Sequence, residues 1–412
     1  MRRMTVEQPL PANRRWLSIV GIGEDGLAGL GDEAKQRIAD ASVVFGGKRH
    51  LQHAGSLVRG EARPWPSPFD VSAVLQLRGQ TVCVLASGDP FLFGVGATLA
   101  RAIDAGEMHV IPAPSAFSLA AARLGWPLSE IETVSLHGRR LDLLRPLLHP
   151  GRKVLALTSD AAGPAAVARL LTETGFGPSR MHVLEALGGA NERVRTTSAT
   201  AFDLDDIDAL NVVGIEVSAG TGARILPLAS GLPDALFEHD GQITKREIRA
   251  VTLAALAPRR GERLLDIGAG SGSVSIEWML ADVSLSAVAV EASRERAARI
   301  RANANACGVP GLTVVEGAAP GVLTGLMPFD AVFVGGGLSD AGVPEAAMAL
   351  LRSGGRLVAN TVTLESEAIL LRLHSSLGGE LTRISVARAE PVGGMTGWRP
   401  SMPVMQWNWV KP

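Results

Sequence analysis

Three closely spaced glycines in the second half of the chain form the pattern with the clearest chemical meaning. Gly268, Gly270 and Gly272 lie between a run typical of a buried strand and a run typical of a helix. Glycines at such a junction permit tight turns and let a ligand approach the helix N-terminus. Glu291 ends the next strand run, roughly 20 residues on, where a carboxylate can bind both hydroxyls of a ribose. The pattern predicts a nucleoside site; the alternative is a structural turn beside a solvated glutamate.

The spacing of these glycines indicates which nucleoside cofactor to expect. It is G-x-G-x-G, whereas a nicotinamide dinucleotide fingerprint requires G-x-G-x-x-G. In the first half, Gly21, Gly23 and Gly26 do fit that fingerprint formally. The next strand run, however, ends in Gly46 and Gly47, where a nicotinamide site needs an acid. Neither half therefore favours a nicotinamide cofactor.

Two more loops in the first half each follow a strand run and precede a helix run. ASGDPFLFG contains Gly88, Asp89 and Pro90, and PAPSAFSLA contains Ser115 and Ala116. Either loop alone is as well explained by a structural turn. Together with the first glycine loop, in this order, they predict a binding cleft.

Basic residues beside these loops are candidates for binding substrate carboxylates. His137 and Arg139 lie in SLHGRR, directly after a strand run. An arginine guanidinium matches the geometry of a carboxylate well. In the second half the candidates are Lys245, Arg388 and Arg399. For each of these residues a solvated surface charge is the alternative.

Strand and helix runs that must position these loops alternate along the whole chain, which predicts an α/β fold. Several strand runs are apolar without alternation, as in sheets covered on both faces. A segment with glycine and proline at 219–236 interrupts the pattern and predicts a linker between domains 14–218 and 237–412. The predicted helices of the first half cover 91–105, 115–124 and 163–174.

After the predicted linker the alternation restarts as a doubly wound domain with a closing β-hairpin. Thr244 is a plausible N-cap for its first helix. Near the end, GGMTGWRPSMPVMQW is interpreted as a loop before the last strand. Trp398 in that loop would cover a substrate or pack between subunits.

Composition and charge count against several classes of protein. The 412 residues carry 40 basic and 41 acidic side chains, without the basic excess typical of nucleic-acid binding along a broad surface. No apolar run approaches the roughly 18 residues of a membrane helix. Residues 1–16 have basic side chains but no apolar run after them, so we expect a flexible tail, no secretory signal and a cytoplasmic protein.

The two halves resemble two different families of methyltransferases. The G-x-G-x-G loop with Glu291 resembles the class I S-adenosylmethionine methyltransferases, which have a Rossmann-like doubly wound domain. The three loops of the first half resemble the tetrapyrrole methylases, which bind S-adenosylmethionine in a cleft between two α/β subdomains. One domain of each kind in this order, with SLHGRR, GLPDALFEHDGQITKREIRA and EGAAPGVL, is similar to the precorrin-6Y C(5,15)-methyltransferases (decarboxylating). This resemblance covers nearly the whole chain.

The resemblance implies a reaction in cobalamin biosynthesis. The N-terminal domain would methylate carbon 5 of precorrin-6Y, and the C-terminal domain would methylate carbon 15 and decarboxylate the carbon-12 acetate, giving precorrin-8X. Each domain would bind one S-adenosylmethionine, without a metal, and no catalytic residue is assigned. The implied cofactor contacts are Gly21, Gly23, Gly88, Asp89, Pro90, Ser115, Ala116, Thr244, Gly268, Ala269, Gly270, Ser271, Gly272, Glu291 and Ala319. Relatives often have an acid where this chain has Ala318, which leaves the contact to the adenine edge open.

Two rival functions remain at this stage. Both domain types also occur in RNA methyltransferases, but the neutral charge and the lack of interleaved aromatic and basic residues count against nucleic acid. The second rival is a non-catalytic corrinoid-binding scaffold, against which the intact loops of both halves count. The resemblance also implies a homo-oligomer, with the C-terminal domains forming a tetrameric core.

Overall fold

The computed structural model describes residues 15–412. Residues 1–14, which include most of the predicted tail, lie outside the described residues. The chain divides into two compact units. The first ends with Ala223 and lacks Asp142–Leu148, which belong to the second unit together with Arg224–Pro412. Within 15–412, no helix is both long and apolar enough to cross a membrane.

The first unit begins with a parallel five-stranded sheet in the order β3-β2-β4-β1-β5. The strands β1 and β4 at its centre are buried along almost their whole length. Because all five strands are parallel, the loops that follow them lie at one edge of the sheet. The strands are β1 Leu17–Ile22, β2 Val43–Gly46, β3 Glu61–Pro64, β4 Val82–Ser87 and β5 Met108–Ile111, and the helices are α1 Asp32–Asp40, α2 Lys48–Ala54, α3 Ser72–Leu75 and α4 Val95–Leu99.

A second sheet of the same unit has the order β6-β7-β10-β8-β9 and is mostly antiparallel. Helix α5 packs on it through Phe117, which lies in one core cluster with Leu155 and Val212. The predicted pair of α/β subdomains is thereby confirmed. Its elements are α5 Ala116–Leu124, β6 Ile131–Ser135, β7 Lys153–Leu157, α6 Gly163–Glu173, β8 Arg180–Glu185, β9 Arg193–Ser198 and β10 Asn211–Glu216.

The second unit contains a seven-stranded sheet in the order β13-β12-β11-β14-β15-β19-β16. The first five strands in this order are parallel to one another, and β19 runs antiparallel between β15 and β16. This arrangement agrees with the doubly wound domain and closing hairpin that the sequence predicts. The elements are α7 Arg246–Leu256, β11 Arg263–Ile267, α8 Ser273–Leu280, β12 Ser286–Glu291, α9 Arg294–Ala306, β13 Thr313–Glu316, β14 Phe329–Val334, α10 Val343–Ala349, β15 Leu351–Thr361, α11 Leu364–Leu377, β16 Glu380–Ile384, β17 Ala387–Val392, β18 Met395–Pro400 and β19 Val404–Val410.

Part of the segment 219–236 packs into the second unit. Leu226 and Leu232 are buried in one cluster with Leu253 and Trp278. The boundary between the compact units accordingly falls between Ala223 and Arg224. The functional domain limits given by the sequence, 14–218 and 237–412, stay a prediction.

Several local predictions are wrong. The helix expected over 91–105 is only α4, because Phe93 has a positive φ of 57° and Gly94 is extended. Thr244 is not an N-cap: Lys245 precedes α7, and the carbonyl of Thr244 accepts a hydrogen bond from the Arg249 guanidinium.

The loop expected before the last strand is instead the hairpin β17–β18, inserted between β16 and β19. Strands β3 and β9 are not predicted from the sequence, which shows no apolar run at either position. Both have mainly exposed or half-exposed side chains, so they lack the apolar signal of the buried strands.

Candidate active sites

Gly88 joins the three loops at the edge of the first sheet. Its N–H donates to the Ile22 carbonyl at 3.3 Å, and its own carbonyl accepts from Ala113 N at 3.2 Å. Its φ is +54°, and a Cβ there would lie 2.8 Å from the Pro114 carbonyl oxygen. A side chain at this position would therefore force apart the loops after β4 and β5.

These loops line a cleft of about 640 Å³ in the first unit. A volume of this size is typical of small-molecule and cofactor sites. The second sheet supplies its other wall. Of the residues predicted from the sequence, the cleft brings together Gly23, Gly88, Ser115, Ala116, His137 and Arg139.

Gly21, Asp89 and Pro90 shape the loops from outside the lining. A Cβ on Gly21 would collide with the Gly88 carbonyl oxygen. Asp89 Oδ1 accepts from Phe91 N at 2.8 Å, and the Pro90 carbonyl accepts from Gly96 N at 2.9 Å. Cofactor contacts by these three residues stay a prediction.

His137 and Arg139 come directly after β6 in the chain and line the cleft. His137 Nδ1 is 3.4 Å from the Thr158 carbonyl oxygen. The Arg139 guanidinium carbon lies 5.7 Å from the centre of the Phe93 ring. Within residues 15–412 it has no salt-bridge partner, which suits a group that binds an incoming carboxylate.

In the second unit, Glu291 is fixed by backbone groups on both sides. Its Oε2 accepts from Gly270 N and its Oε1 from Ser293 N, both at 2.9 Å. The residue is only 6% exposed, so it is not the solvated strand end of the alternative interpretation. Each oxygen retains a lone pair, so ribose hydroxyls can still donate to it.

Gly272 ends the glycine loop directly before α8. Its φ is +75°, and a Cβ there would lie 2.7 Å from Ile300 Cγ2. Two further segments border the loop: a Cβ on Gly270 would be 3.1 Å from the Gln242 carbonyl oxygen, and Gly317 N donates to the Glu291 carbonyl at 3.0 Å. Thr244 and Ala319 belong to these bordering segments.

Asp266 lies in β11, two residues before the glycine loop, and is not among the cofactor contacts that the sequence predicts. Burial raises the pKa of its carboxyl to about 6, although Ser275 Oγ donates to its Oδ2 at 2.6 Å. Its Oδ1 and the hydroxyl of Ser271 are buried without a hydrogen-bond partner. Unpaired buried polar atoms are costly unless a ligand satisfies them. Beside Glu291 they fit S-adenosylmethionine, which has hydroxyl groups and positive charges.

The predicted basic residues of the second unit lie in two places, on the hairpin β17–β18 and at the start of α7. Arg388 and Arg399 face each other across β17–β18. Arg388 is hydrogen-bonded to Glu247 in the first turn of α7, and Arg399 Nη1 lies 3.0 Å from Glu390. Lys245 Nζ is 4.0 Å from Asp234. These ion pairs place Arg388 near the start of α7 and leave Arg399 on the exposed hairpin.

Comparison with known proteins gives the family. Residues 17–203 match the tetrapyrrole (corrin/porphyrin) methylases, and residues 235–411 match the precorrin methyltransferase domain. A precorrin-6Y C(5,15)-methyltransferase [decarboxylating] of Sinorhizobium sp is 63% identical over 96% of this chain and 96% of its own length. This chain belongs to the precorrin-6Y C(5,15)-methyltransferase family. It therefore combines two kinds of methyltransferase domain, as the sequence predicts.

Shorter relatives resemble only part of the chain. A cobalt-precorrin-7 C(5)-methyltransferase of Salmonella typhimurium is 31% identical over 46% of this chain and 94% of its own length. A probable cobalt-precorrin-6B C(15)-methyltransferase (decarboxylating) of Pyrobaculum calidifontis is 40% identical over 40% of this chain and 88% of its own length. Each of these shorter relatives is named for one of the two methylations.

Proposed function

We propose that this chain methylates precorrin-6Y at carbons 5 and 15 and removes the carbon-12 acetate carboxyl, giving precorrin-8X. The observation that carries the proposal is the presence of two methyltransferase architectures on one chain that is 63% identical to a precorrin-6Y C(5,15)-methyltransferase. The separate C(5) and C(15) names of the shorter relatives support two active sites. We assign carbon 5 to the first unit and carbon 15 with decarboxylation to the second.

S-adenosylmethionine, one molecule per unit, would supply an activated methyl group. In the second unit, Glu291 would bind the ribose, and the tight turns of the loop Gly268–Gly272 would let the cofactor approach the start of α8. Asp266 would place a buried negative charge near the cofactor's positive groups. In the first unit, Gly88 keeps the loops after β4 and β5 close together, so the Ser115 backbone lies at the cleft.

The remaining task of both sites is to position the substrate. Two reactants held in line gain much of the rate that an enzyme provides for methyl transfer. Arg139 has the charge and the freedom to bind one of the macrocycle's carboxylates. In the second unit, Lys245 and Arg388 are candidates for the same role near the start of α7.

The biological setting belongs to the same proposal. We expect a cytoplasmic homo-oligomer whose small-molecule partner is a corrin precursor, without nucleic acid. The exposed hairpin β17–β18 supports self-association, because Met395 and Trp398 are 75% and 78% exposed. Exposed large apolar side chains that form a patch are typical of interaction surfaces.

Product analysis tests the proposed function. The purified chain is incubated with S-adenosylmethionine and precorrin-6Y, and the products are identified by mass spectrometry. We expect two methyl groups gained and one carboxyl group lost. Transfer of methyl groups to RNA and none to the corrin precursor would refute the proposal.

A further inference from the structure

The carbon-5 reaction needs a proton acceptor, a role that has not yet been assigned to any residue of the N-terminal cleft. When a sulfonium gives its methyl group to the macrocycle, a new carbon–carbon bond forms and the carbon–sulfur bond breaks. The macrocycle then carries one positive charge more than before. It loses that charge when a proton leaves carbon 5 or a position conjugated with it. A group in the N-terminal cleft must take this proton.

A serine and a histidine lie together at the carboxyl edge of the first sheet. Ser87 is the last residue of β4, and His50 lies in the first turn of α2, which follows β2. Because β2 and β4 are parallel neighbours, these positions meet at one edge. His50 Nε2 is 2.8 Å from Ser87 Oγ, and both residues line the cleft beside Gly88.

The surroundings keep this histidine available as a base. Burial, Arg49 and His53 lower the pKa of His50 to about 4, so its imidazole is neutral near pH 7. Arg49 Nη2 lies 3.5 Å from both His50 Nε2 and Ser87 Oγ, and Arg49 Nη1 is held 3.1 Å from Glu24 Oε1. The ring therefore carries no proton at rest and offers a lone pair, while the neighbouring cation restricts it to accepting a proton from a strong acid such as the cationic methylated macrocycle.

The serine hydroxyl connects that ring with the open cleft. Ser87 is exposed, whereas His50 is half-buried and its Nδ1 has no hydrogen-bond partner. A proton arriving at Ser87 can therefore move one hydrogen bond further, to His50 Nε2.

We propose that Ser87 and His50 form the proton-accepting pair of the N-terminal cleft. As the methylated macrocycle loses its proton to Ser87 Oγ, the serine gives its own hydroxyl proton to His50 Nε2. The electrons of the broken C–H bond return to the conjugated ring, and the proton later passes to water. This role rests on the proposed carbon-5 methylation.

Four variants of the full chain test the pair: His50→Gln, Ser87→Ala, His50→Gly and, as a matched control outside the cleft lining, His109→Gln, whose ring pairs with Glu33. General bases of this kind contribute about 10²–10⁴-fold. We expect His50→Gln and Ser87→Ala to lower the single-turnover rate of carbon-5 methylation on that scale. Carbon-15 methylation in the same chain should be unchanged, as should S-adenosylmethionine affinity measured by calorimetry. His109→Gln should keep both rates.

Chemical rescue separates a base from a structural residue. Added imidazole should restore carbon-5 methylation by His50→Gly, and more basic imidazoles should restore it faster. Rates near that of the unaltered chain in His50→Gln and Ser87→Ala would overturn the inference, as would a loss that imidazole does not restore. If the unaltered chain itself transfers no methyl group to carbon 5, the proposed function fails instead.

Discussion

Glu291 shows how one side chain can serve both the fold and a ligand. Its carboxylate connects the glycine loop with the start of α9 through Gly270 N and Ser293 N. Charge-assisted hydrogen bonds to ribose hydroxyls would add about 1.5–3 kcal/mol of binding free energy.

Glu291→Gln should therefore weaken one of the two cofactor sites by about 10- to 100-fold. Titration calorimetry on the full chain measures this change. Glu316→Gln is the matched control, because Glu316 lies opposite Glu291 in register but is exposed and paired with Arg301. If both S-adenosylmethionine affinities of Glu291→Gln equal those of the unaltered chain, Glu291 does not bind the ribose.

Asp266 should make stability depend on pH. Its pKa is raised to about 6 by burial, against an ordinary value of 3.8. Protonated Asp266 favours the folded state over the ionised form, fully so below pH 3.8, and this stabilisation is lost as the pH rises through about 6. The ionised carboxylate then costs about 3 kcal/mol of folding free energy.

Asp266→Asn should accordingly raise the melting temperature at pH 8 more than at pH 4, while weakening cofactor binding in the second unit. The amide can still accept the hydrogen bond from Ser275. Thermal scans of both proteins at the two pH values provide the test. An equal shift at both pH values would show that this carboxyl keeps its ordinary pKa.

At the scale of elements, Gly88 holds the loops after β4 and β5 together. Gly88→Val should separate them and remove the first cofactor site, because the new side chain would meet the Pro114 carbonyl. Calorimetry should then find one cofactor per chain instead of two. Gly31→Val is the control, since a Cβ at Gly31 meets nothing within 4 Å and its φ is −70°. Two sites remaining in Gly88→Val would contradict this role.

Helices α7 and α8 are joined by a buried ion pair that also holds the segment before them. Arg249 is fully buried and binds Glu277, Asp234 and the Leu232 carbonyl. Glu277 also accepts from Leu232 N at 2.9 Å. Arg249→Met would leave this carboxylate unpaired, which costs about 3–5 kcal/mol.

Denaturant unfolding of the full chain measures that loss. Arg260→Met is the matched control, because Arg260 is 88% exposed in its pair with Asp282. Removing such a surface pair changes stability by no more than about 1 kcal/mol. Equal effects of the two substitutions would show that the buried pair does not fix the segment.

What the sequence reveals about these elements depends on whether the signal is local. The position of Glu291 beside the glycine loop could be predicted, because it follows from spacing within one strand–helix–strand unit. His50 and Ser87 are 37 positions apart, and their contact depends on β2 and β4 being neighbours. The hairpin β17–β18 escaped prediction because most of its side chains are exposed, which leaves no apolar alternation to detect.

At the scale of the whole molecule, the segment between the units belongs to the second core. A fragment 224–412 should be more stable than the fragment 237–412 suggested by the sequence. The shorter one loses Leu226 and Leu232, each worth about 1.5–3 kcal/mol of burial, and the Asp234 partner of Arg249. Melting temperatures of the two fragments compare them directly. Equal values would mean that this segment does not stabilise the unit.

Two cofactor sites on one chain, one for each ring carbon, make up the central claim. Mass spectrometry of the corrin products formed by Gly88→Val in the full chain tests it most directly. The expected product has gained one methyl group, at carbon 15, and has lost one carboxyl group. A product methylated at both carbons, or a chain that neither methylates nor decarboxylates, would contradict the assignment of one reaction site to each unit.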